Sequence, residues 1–122
     1  MDNAEFLNEL KRLDFEDFLW VIFIIIALLN IYGDYNDKEF LKTHRSQFKK
    51  KANLIFEITL IITFLIYIYF FMRNYYFYQK ATPEEKQLYL IKVLGSTFLL
   101  AGVILLIYFQ TKQTDFLGTP AA

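Results

Sequence analysis

The stretch 53–72 limits the possible fold more than any other part of the sequence. Its twenty residues, NLIFEITLIITFLIYIYFFM, contain a single charged residue, Glu57. Because a helix rises about 1.5 Å per residue, this length covers roughly 30 Å, the thickness of the hydrocarbon core of a bilayer. Three lysines precede the stretch and Arg73 follows it. The pattern predicts a transmembrane helix, and the other apolar segments are interpreted as its neighbours.

Composition supports a membrane protein. Hydrophobic residues make up 56% of the chain, and the charged residues fall in blocks between the apolar runs, which is not typical of a soluble globule. The net charge is zero, so the chain has no overall positive charge that would favour nucleic acid as a partner. The chain has no cysteine, which excludes disulfides and cysteine-based zinc sites. We therefore expect one all-α integral membrane domain over residues 1–122, with no cofactor and no metal.

An acidic amphipathic helix is predicted over residues 2–17, ahead of the first span. Asp2 and Glu5 have the spacing of a capping box. Apolar residues recur at three- and four-residue steps, namely Phe6, Leu7, Leu10 and Leu13. Two interpretations are open: this helix lies in the membrane interface, or it packs on the ends of the protein's own helices. The first span follows at about 18–32, and Gly33 is expected to end it.

The polar connection 34–52 is predicted to carry a basic surface beside the second span. Asn36 and Glu39 have capping-box spacing, so the second helix is expected to begin near Asp37. The cations predicted to meet the membrane surface are Lys42, Arg45, Lys49, Lys50 and Lys51. They either contact anionic headgroups or form a plain positive flank on the inner side of the membrane.

The third span is predicted at about 88–109. Thr82, Pro83 and Glu85 match a capping box with proline at the first helical position, so the helix is expected to start there. Small residues are predicted to form a packing face for another helix, within the chain or in a partner, the alternative being contact with lipid: Gly95, Thr97, Ala101 and Gly102. The tail 110–122 is polar and is expected to fray.

Three polar residues fall within the predicted spans: Asn30, Glu57 and Lys92. Asn30 and Glu57 lie at similar predicted depth, so we hypothesise a hydrogen bond between them, the alternative being a proton- or cation-carrying role for Glu57. Lys92 lies toward the opposite membrane face, in a group with Asp14, Glu16, Asp17, Arg73 and Lys86. This group is interpreted either as ion pairs that order the helix ends or as a vestibule for anions.

These patterns predict a three-span protein that works by contact and not by catalysis. No P-loop, dinucleotide fingerprint or zincin helix occurs, so no enzyme is expected. We predict an interaction subunit, regulator or scaffold whose partners are the bilayer and other membrane helices, from itself or from a larger membrane protein. The alternative is a homo-oligomeric pore or small carrier, holin-like or ion-conducting.

A multi-pass location in a bacterial cytoplasmic membrane is expected. The richness in Ile, Phe, Tyr, Lys and Asn is compatible with an AT-rich bacterial genome. Lysine and arginine are in excess where the first connection meets the membrane, which predicts that the N-terminus lies outside and the C-terminus inside.

Overall fold

The computed structural model describes residues 1–120, which form three helices; Ala121 and Ala122, the end of the predicted tail, lie outside the described residues. Helix α1 covers Asn3–Thr43, α2 covers Ser46–Lys80 and α3 covers Lys86–Lys112. At about 1.5 Å per residue, even α3 is about 40 Å long. Each helix contains a window of 18 residues that is apolar enough to cross a membrane. The fold class is therefore all-α, with three helices long and apolar enough to span a membrane.

Helix α2 lies in the middle of a single layer of helices. It packs against α1 on one side and α3 on the other, whereas α1 and α3 do not pack on each other within residues 1–120. Only His44 and Arg45 separate α1 from α2. His44 adopts a left-handed backbone, with φ of 58°, and its N–H donates to the Phe40 carbonyl at 2.7 Å. This tight reversal makes α1 and α2 antiparallel neighbours.

Most apolar side chains of the layer are exposed. Leu19, Ile26 and Ile66 form a buried cluster between α1 and α2. Even with such contacts included, only 17%, 22% and 17% of the most apolar windows of the three helices are buried inside the chain. A soluble monomer rarely exposes contiguous apolar surface on this scale. The exposed surface suggests a membrane location.

Gly33 lies inside α1 and does not end it. The ring of Phe56 on α2 packs against this glycine, and an ideal β-carbon at Gly33 would lie 2.4 Å from Phe56 Cε1. Phe56 is buried, so its ring has little free space into which to withdraw. The glycine is therefore explained by the close approach of two helices, and the prediction that the first helix ends there is wrong.

The second helix begins later than the capping pattern predicts. Helix α1 continues through Asn36 and Asp37, and α2 starts only at Ser46. The amide of Asn36 donates to the Tyr32 carbonyl at 2.8 Å, one turn earlier in the same helix. Because the Asn36 side chain bonds to a carbonyl within α1, its spacing to Glu39 does not mark a helix start.

The other two capping patterns have different outcomes. Asp2 caps α1 as predicted, since its carboxylate accepts the N–H of Glu5 at 2.7 Å. Residues 82–85 form a turn in which the Glu85 N–H donates to the Thr82 carbonyl at 3.0 Å. Residues 83–85 form this turn directly ahead of the helix, so α3 begins at Lys86, later than predicted.

Candidate functional site

A buried carboxylate, Glu16, accepts three hydrogen bonds at one end of the layer. Arg73 Nη1 donates to Glu16 Oε1 at 2.8 Å, while Arg12 Nη1 and the Tyr69 hydroxyl donate to Glu16 Oε2 at 3.0 and 3.1 Å. Arg12 also pairs with Glu9 at 2.7 Å. A buried charge is tolerated only when it is paired and hydrogen-bonded. These five residues, which we call the Glu16 cluster, tie the first part of α1 to α2.

Ion pairing at this end of the layer is confirmed for part of the predicted group. The hydrogen bond from Arg12 lowers the pKa of Glu9 below its ordinary value of 4.5, and the same bond raises the pKa of Arg12. Both groups are therefore charged at neutral pH. Asp14 and Asp17 are exposed and form no ion pair within the described chain.

Lys92 lies beside the Glu16 cluster without a carboxylate of its own. It is exposed and close enough to Arg12, Arg73 and Glu16 to interact with their charges. No ion pair or hydrogen bond from its ammonium group occurs in the part of the chain that the structure describes. Arg12, Arg73 and Lys92 are three cations beside two carboxylates, Glu9 and Glu16, so this group of five side chains carries one surplus positive charge.

An open groove runs between α1 and α3, with α2 as its floor. Its wider part, of about 440 Å³, is lined by Trp20, Phe23, Tyr67, Phe70, Arg73, Asn74, Ser96 and Leu99. A narrower part of about 190 Å³ shares Tyr67 and Leu99 with it and is also lined by Ile26, Asn30, Thr59, Leu60, Thr63, Phe98, Gly102, Val103 and Leu106. The groove exists because α1 and α3 each contact α2 and not one another.

The polar side chains of the groove bond to the protein itself. The Asn74 amide donates to the Ser96 hydroxyl and so links α2 to α3. The Thr59 hydroxyl lies 3.1 Å from Asn30 Oδ1 and links α2 to α1. Thr63 donates to the Thr59 carbonyl at 2.8 Å. Hydrogen bonds of this kind hold helices together in apolar surroundings.

The predicted bond between Asn30 and Glu57 is wrong, because Asn30 pairs with Thr59. Glu57 instead lines a small cavity on the α3 side of α2, beside Gln110 and Thr111. Positions 57 and 59 differ by about 200° around a helix, so equal depth did not imply the same face. Gln110 donates to the Asn53 carbonyl at 3.3 Å, whereas its buried Oε1 has no partner among the described residues.

The four small residues of α3 divide between two sides of the helix. Gly102 lines the groove, and Gly95, seven residues earlier, lies on the same side by helical periodicity. A β-carbon at either glycine would meet no described atom within 4 Å. Thr97 and Ala101 are exposed on another side. Helix α3 packs on α2 through other residues, so contact of the small residues with a partner helix stays a prediction.

The opposite end of the layer holds a second buried ion pair. Lys49 Nζ lies 3.1 Å from Asp37 Oδ1, with side-chain exposures of 9% and 5%. Lys49 also donates to the Phe116 carbonyl, and the Gly118 N–H donates to Asp37 Oδ2 at 2.7 Å. Pro120 is buried as well. The tail is therefore docked, and two predictions are wrong: fraying of residues 110–120, and a surface position for Lys49.

The other predicted basic residues stay on the surface. Lys42, Arg45, Lys50 and Lys51 are exposed. Lys51 lies over the ring of Tyr32, with its ammonium 4.9 Å from the ring centroid. An amphipathic lysine at this position can keep its stem on apolar surface and its charge in a polar environment. Contact of these four residues with a membrane surface stays a prediction.

In the first part of α1, the charged side of the helix faces α2. Glu9 and Arg12 are half-buried and Glu16 is buried, all in the cluster described above. The apolar residues on the other side are exposed by 53%, 54%, 43% and 48%, in the order Phe6, Leu7, Leu10 and Leu13. We call these four residues the N-terminal apolar stripe. The charged network, and not the leucines, makes the contact with α2.

One signal in the sequence could have revealed the groove. Thr59, Thr63, Tyr67, Phe70 and Asn74 follow one another at steps of four, four, three and four residues. Residues at this spacing share one face of a helix. A face that combines hydroxyl, amide and aromatic groups inside an apolar run indicates a contact with other helices or with a ligand.

The described residues contain no metal site, and comparison with known proteins does not assign the chain to a family. Within residues 1–120, no three Asp, Glu or His side chains come together in an arrangement that could hold a metal ion. No protein family, curated protein or solved structure matches the sequence. The chemistry of the site is therefore argued from its own residues.

Proposed function

We propose that the chain is a multi-pass integral membrane protein, without catalytic activity, that binds another membrane protein as a subunit, regulator or scaffold. The observation that carries this proposal is the exposure of the N-terminal apolar stripe. The segment 2–17 is rich in charged residues and lies outside the hydrocarbon core in our proposal. Four large apolar side chains are thus left without a packing partner in this segment. Exposed apolar surface of this kind marks a binding surface.

A protein partner explains this stripe better than a membrane surface does. Asp14 and Asp17 lie about 40° and 20° from Leu10 on a helical wheel, so they share the face of the stripe. Anionic headgroups would repel these carboxylates. A partner helix with apolar residues and a facing lysine or arginine matches both the stripe and the two carboxylates.

Site-specific photo-crosslinking in the native membrane tests the proposal. A photoreactive residue at Leu10 is expected to give one defined adduct with another protein. The matched control is Asn8, which is exposed on the opposite side of the same helix. Adducts only with lipid at Leu10, or equal protein adducts from both positions, would contradict a specific protein contact at the stripe.

The proposed orientation places the N-terminus outside and the C-terminus inside a bacterial cytoplasmic membrane. The support is the set of four exposed cations beside the short turn between α1 and α2, since inner loops carry an excess of lysine and arginine. The bacterial source is supported by composition alone.

A homo-oligomeric pore or small carrier is the second candidate, and the groove favours it. Polar side chains line the groove from Asn74 and Ser96 to Thr63, Thr59 and Asn30, and a second copy could close this open side. The test is ion flux in liposomes that contain only this chain. Flux that falls in Thr63→Val but not in the exposed Thr97→Val would support a pore, and absence of flux in the wild-type chain would reject it.

A further inference from the structure

The surplus positive charge beside the Glu16 cluster lacks an anion within the described chain. Lys92 lies between Ile91 and Val93, so apolar residues flank its charge on both sides in the sequence. Glu16, the carboxylate within electrostatic range, already accepts hydrogen bonds from both arginines. An unpaired charge near hydrocarbon is costly, and pairing with a phosphate stabilises it. No carboxylate of the described residues pairs with Lys92, so an anion from outside the chain can complete this group.

The groove has Arg73 and Ser96 in its lining, and Lys92 lies one helical turn before Ser96. The groove has the shape and chemistry of a site for an acyl chain. Its wider part is walled by aromatic rings, and the ring centroids of Trp20 and Phe70 lie 5.9 Å apart. The hydroxyls of Thr59 and Thr63 are bonded within the protein. Because these hydroxyls are bonded within the protein, the methyl groups and aromatic rings of the lining remain available for contact with an acyl chain.

The groove is longer than one leaflet of a bilayer. Asn74 and Thr59 are fifteen positions apart, which corresponds to about 22 Å along α2. Half of a hydrocarbon core measures about 15 Å, so a chain that enters beside Asn74 stays within the groove as far as the bilayer midplane. The missing side chain of Gly102 leaves room in the narrower part.

We propose that this groove binds an anionic phospholipid, with its phosphate at Lys92 beside Arg73 and one acyl chain lying between α1 and α3. Lys92 supplies the charge that selects the headgroup. The aromatic wall and the space at Gly102 hold the chain irrespective of the headgroup. This inference rests on the membrane location proposed above, but it does not require the protein contact at the N-terminal apolar stripe.

Native mass spectrometry of the full-length chain in mild detergent tests the site. Phosphatidylglycerol and phosphatidylcholine with identical acyl chains are offered separately at equal concentration. A lysine at a membrane surface contributes enough to expect about fivefold higher affinity for phosphatidylglycerol. Lys92→Gln is expected to abolish this preference. The matched control is Lys80→Gln, which removes an exposed cation at the same end, stacked on Tyr76, and is expected to keep it.

A second variant tests the proposed binding position of the acyl chain. Gly102→Leu places a side chain where the structure has open space, so we expect an unchanged helical circular dichroism spectrum and lower retention of both lipids. Equal retention of the two lipids by the wild-type chain would overturn the proposal, as would equal effects of Lys92→Gln and Lys80→Gln. A lipid-free dimer that Gly102→Leu dissociates would overturn it and assign the groove to a second copy. Failure of the crosslink at Leu10 would leave these results unaffected.

Discussion

Glu16 and Arg73, separated by 57 positions in the sequence, form an ion pair with 2.8 Å between Oε1 and Nη1. Their side chains are only 8% and 16% exposed. Replacing Glu16 by Gln leaves the Arg73 guanidinium without its carboxylate. We expect a loss of about 3 kcal/mol in the free energy of unfolding, at the lower end of the range for a broken buried pair, since Arg73 keeps some exposure. Unfolding in mixed detergent micelles measures this loss.

Two controls separate the ion pair from general effects of charge. Asp17→Asn removes an exposed carboxylate one residue away and is expected to change stability little. The double variant Glu16→Gln with Arg73→Gln is expected to recover part of the loss, because the Arg73 charge is removed together with its partner. Equal losses in Glu16→Gln and Asp17→Asn would show that the buried pair contributes nothing specific.

The contact of Gly33 with Phe56 predicts opposite effects for alanine at different glycines. Gly33→Ala forces the Phe56 ring to move, and we expect a loss of about 1–3 kcal/mol from overpacking. Gly95→Ala meets open space in α3 and is expected to gain about 0.5–1 kcal/mol from helix propensity. Thermal unfolding of both variants measures the difference. A neutral Gly33→Ala would contradict the close approach of α1 and α2, and Phe56→Leu should rescue a destabilised variant.

This glycine shows which part of the fold the sequence could predict. The apolar runs locate all three helices, and Asp2 marks the start of α1, because both signals are local. The sequence Gly33-Asp34 resembles a helix end locally, whereas the actual reason for the glycine is a ring that lies 23 positions away. Only the pairing of α1 with α2 reveals that reason.

The candidate site shows the same division between local and long-range information. Depth along a span predicted that Asn30 has a polar partner on the second helix, but rotation about the helix axis decides between Glu57 and Thr59. The burial of Lys49 depends on Asp37 across the α1–α2 turn and on the returning tail. Such contacts have no counterpart in periodicity or composition.

Asp37 holds the C-terminal tail against the helices in the structure. Asp37→Ala removes the acceptor of both the Lys49 ammonium and the Gly118 N–H. Losing hydrogen bonds to a charged group is expected to release the tail and speed trypsin cleavage after Lys112 about tenfold or more. Gel analysis over time measures the rate. Glu39→Ala serves as the control, because the Glu39 carboxylate only approaches the ammonium of the exposed Lys42, at 3.7 Å. Equal acceleration of cleavage in both variants would contradict a specific role of Asp37 in holding the tail.

The absence of cysteine allows a direct test of the proposed orientation. Single cysteines in place of Asn3, His44 and Gln79 report three helix ends. In intact cells, a thiol reagent that does not cross membranes is expected to label positions 3 and 79 and to spare position 44. Lysis should expose position 44 to the reagent. Labelling of position 44 alone in intact cells would reverse the proposed orientation, and equal labelling of all three would contradict membrane integration.

The mass of the native assembly, extracted in mild detergent from its own membrane, shows whether the chain binds another membrane protein. We expect the chain to co-purify with a different and larger membrane protein, and Leu10→Asp in the N-terminal apolar stripe to separate the two. An assembly of identical chains would favour the pore or carrier instead. A lone chain with only detergent and lipid bound would contradict the proposed function.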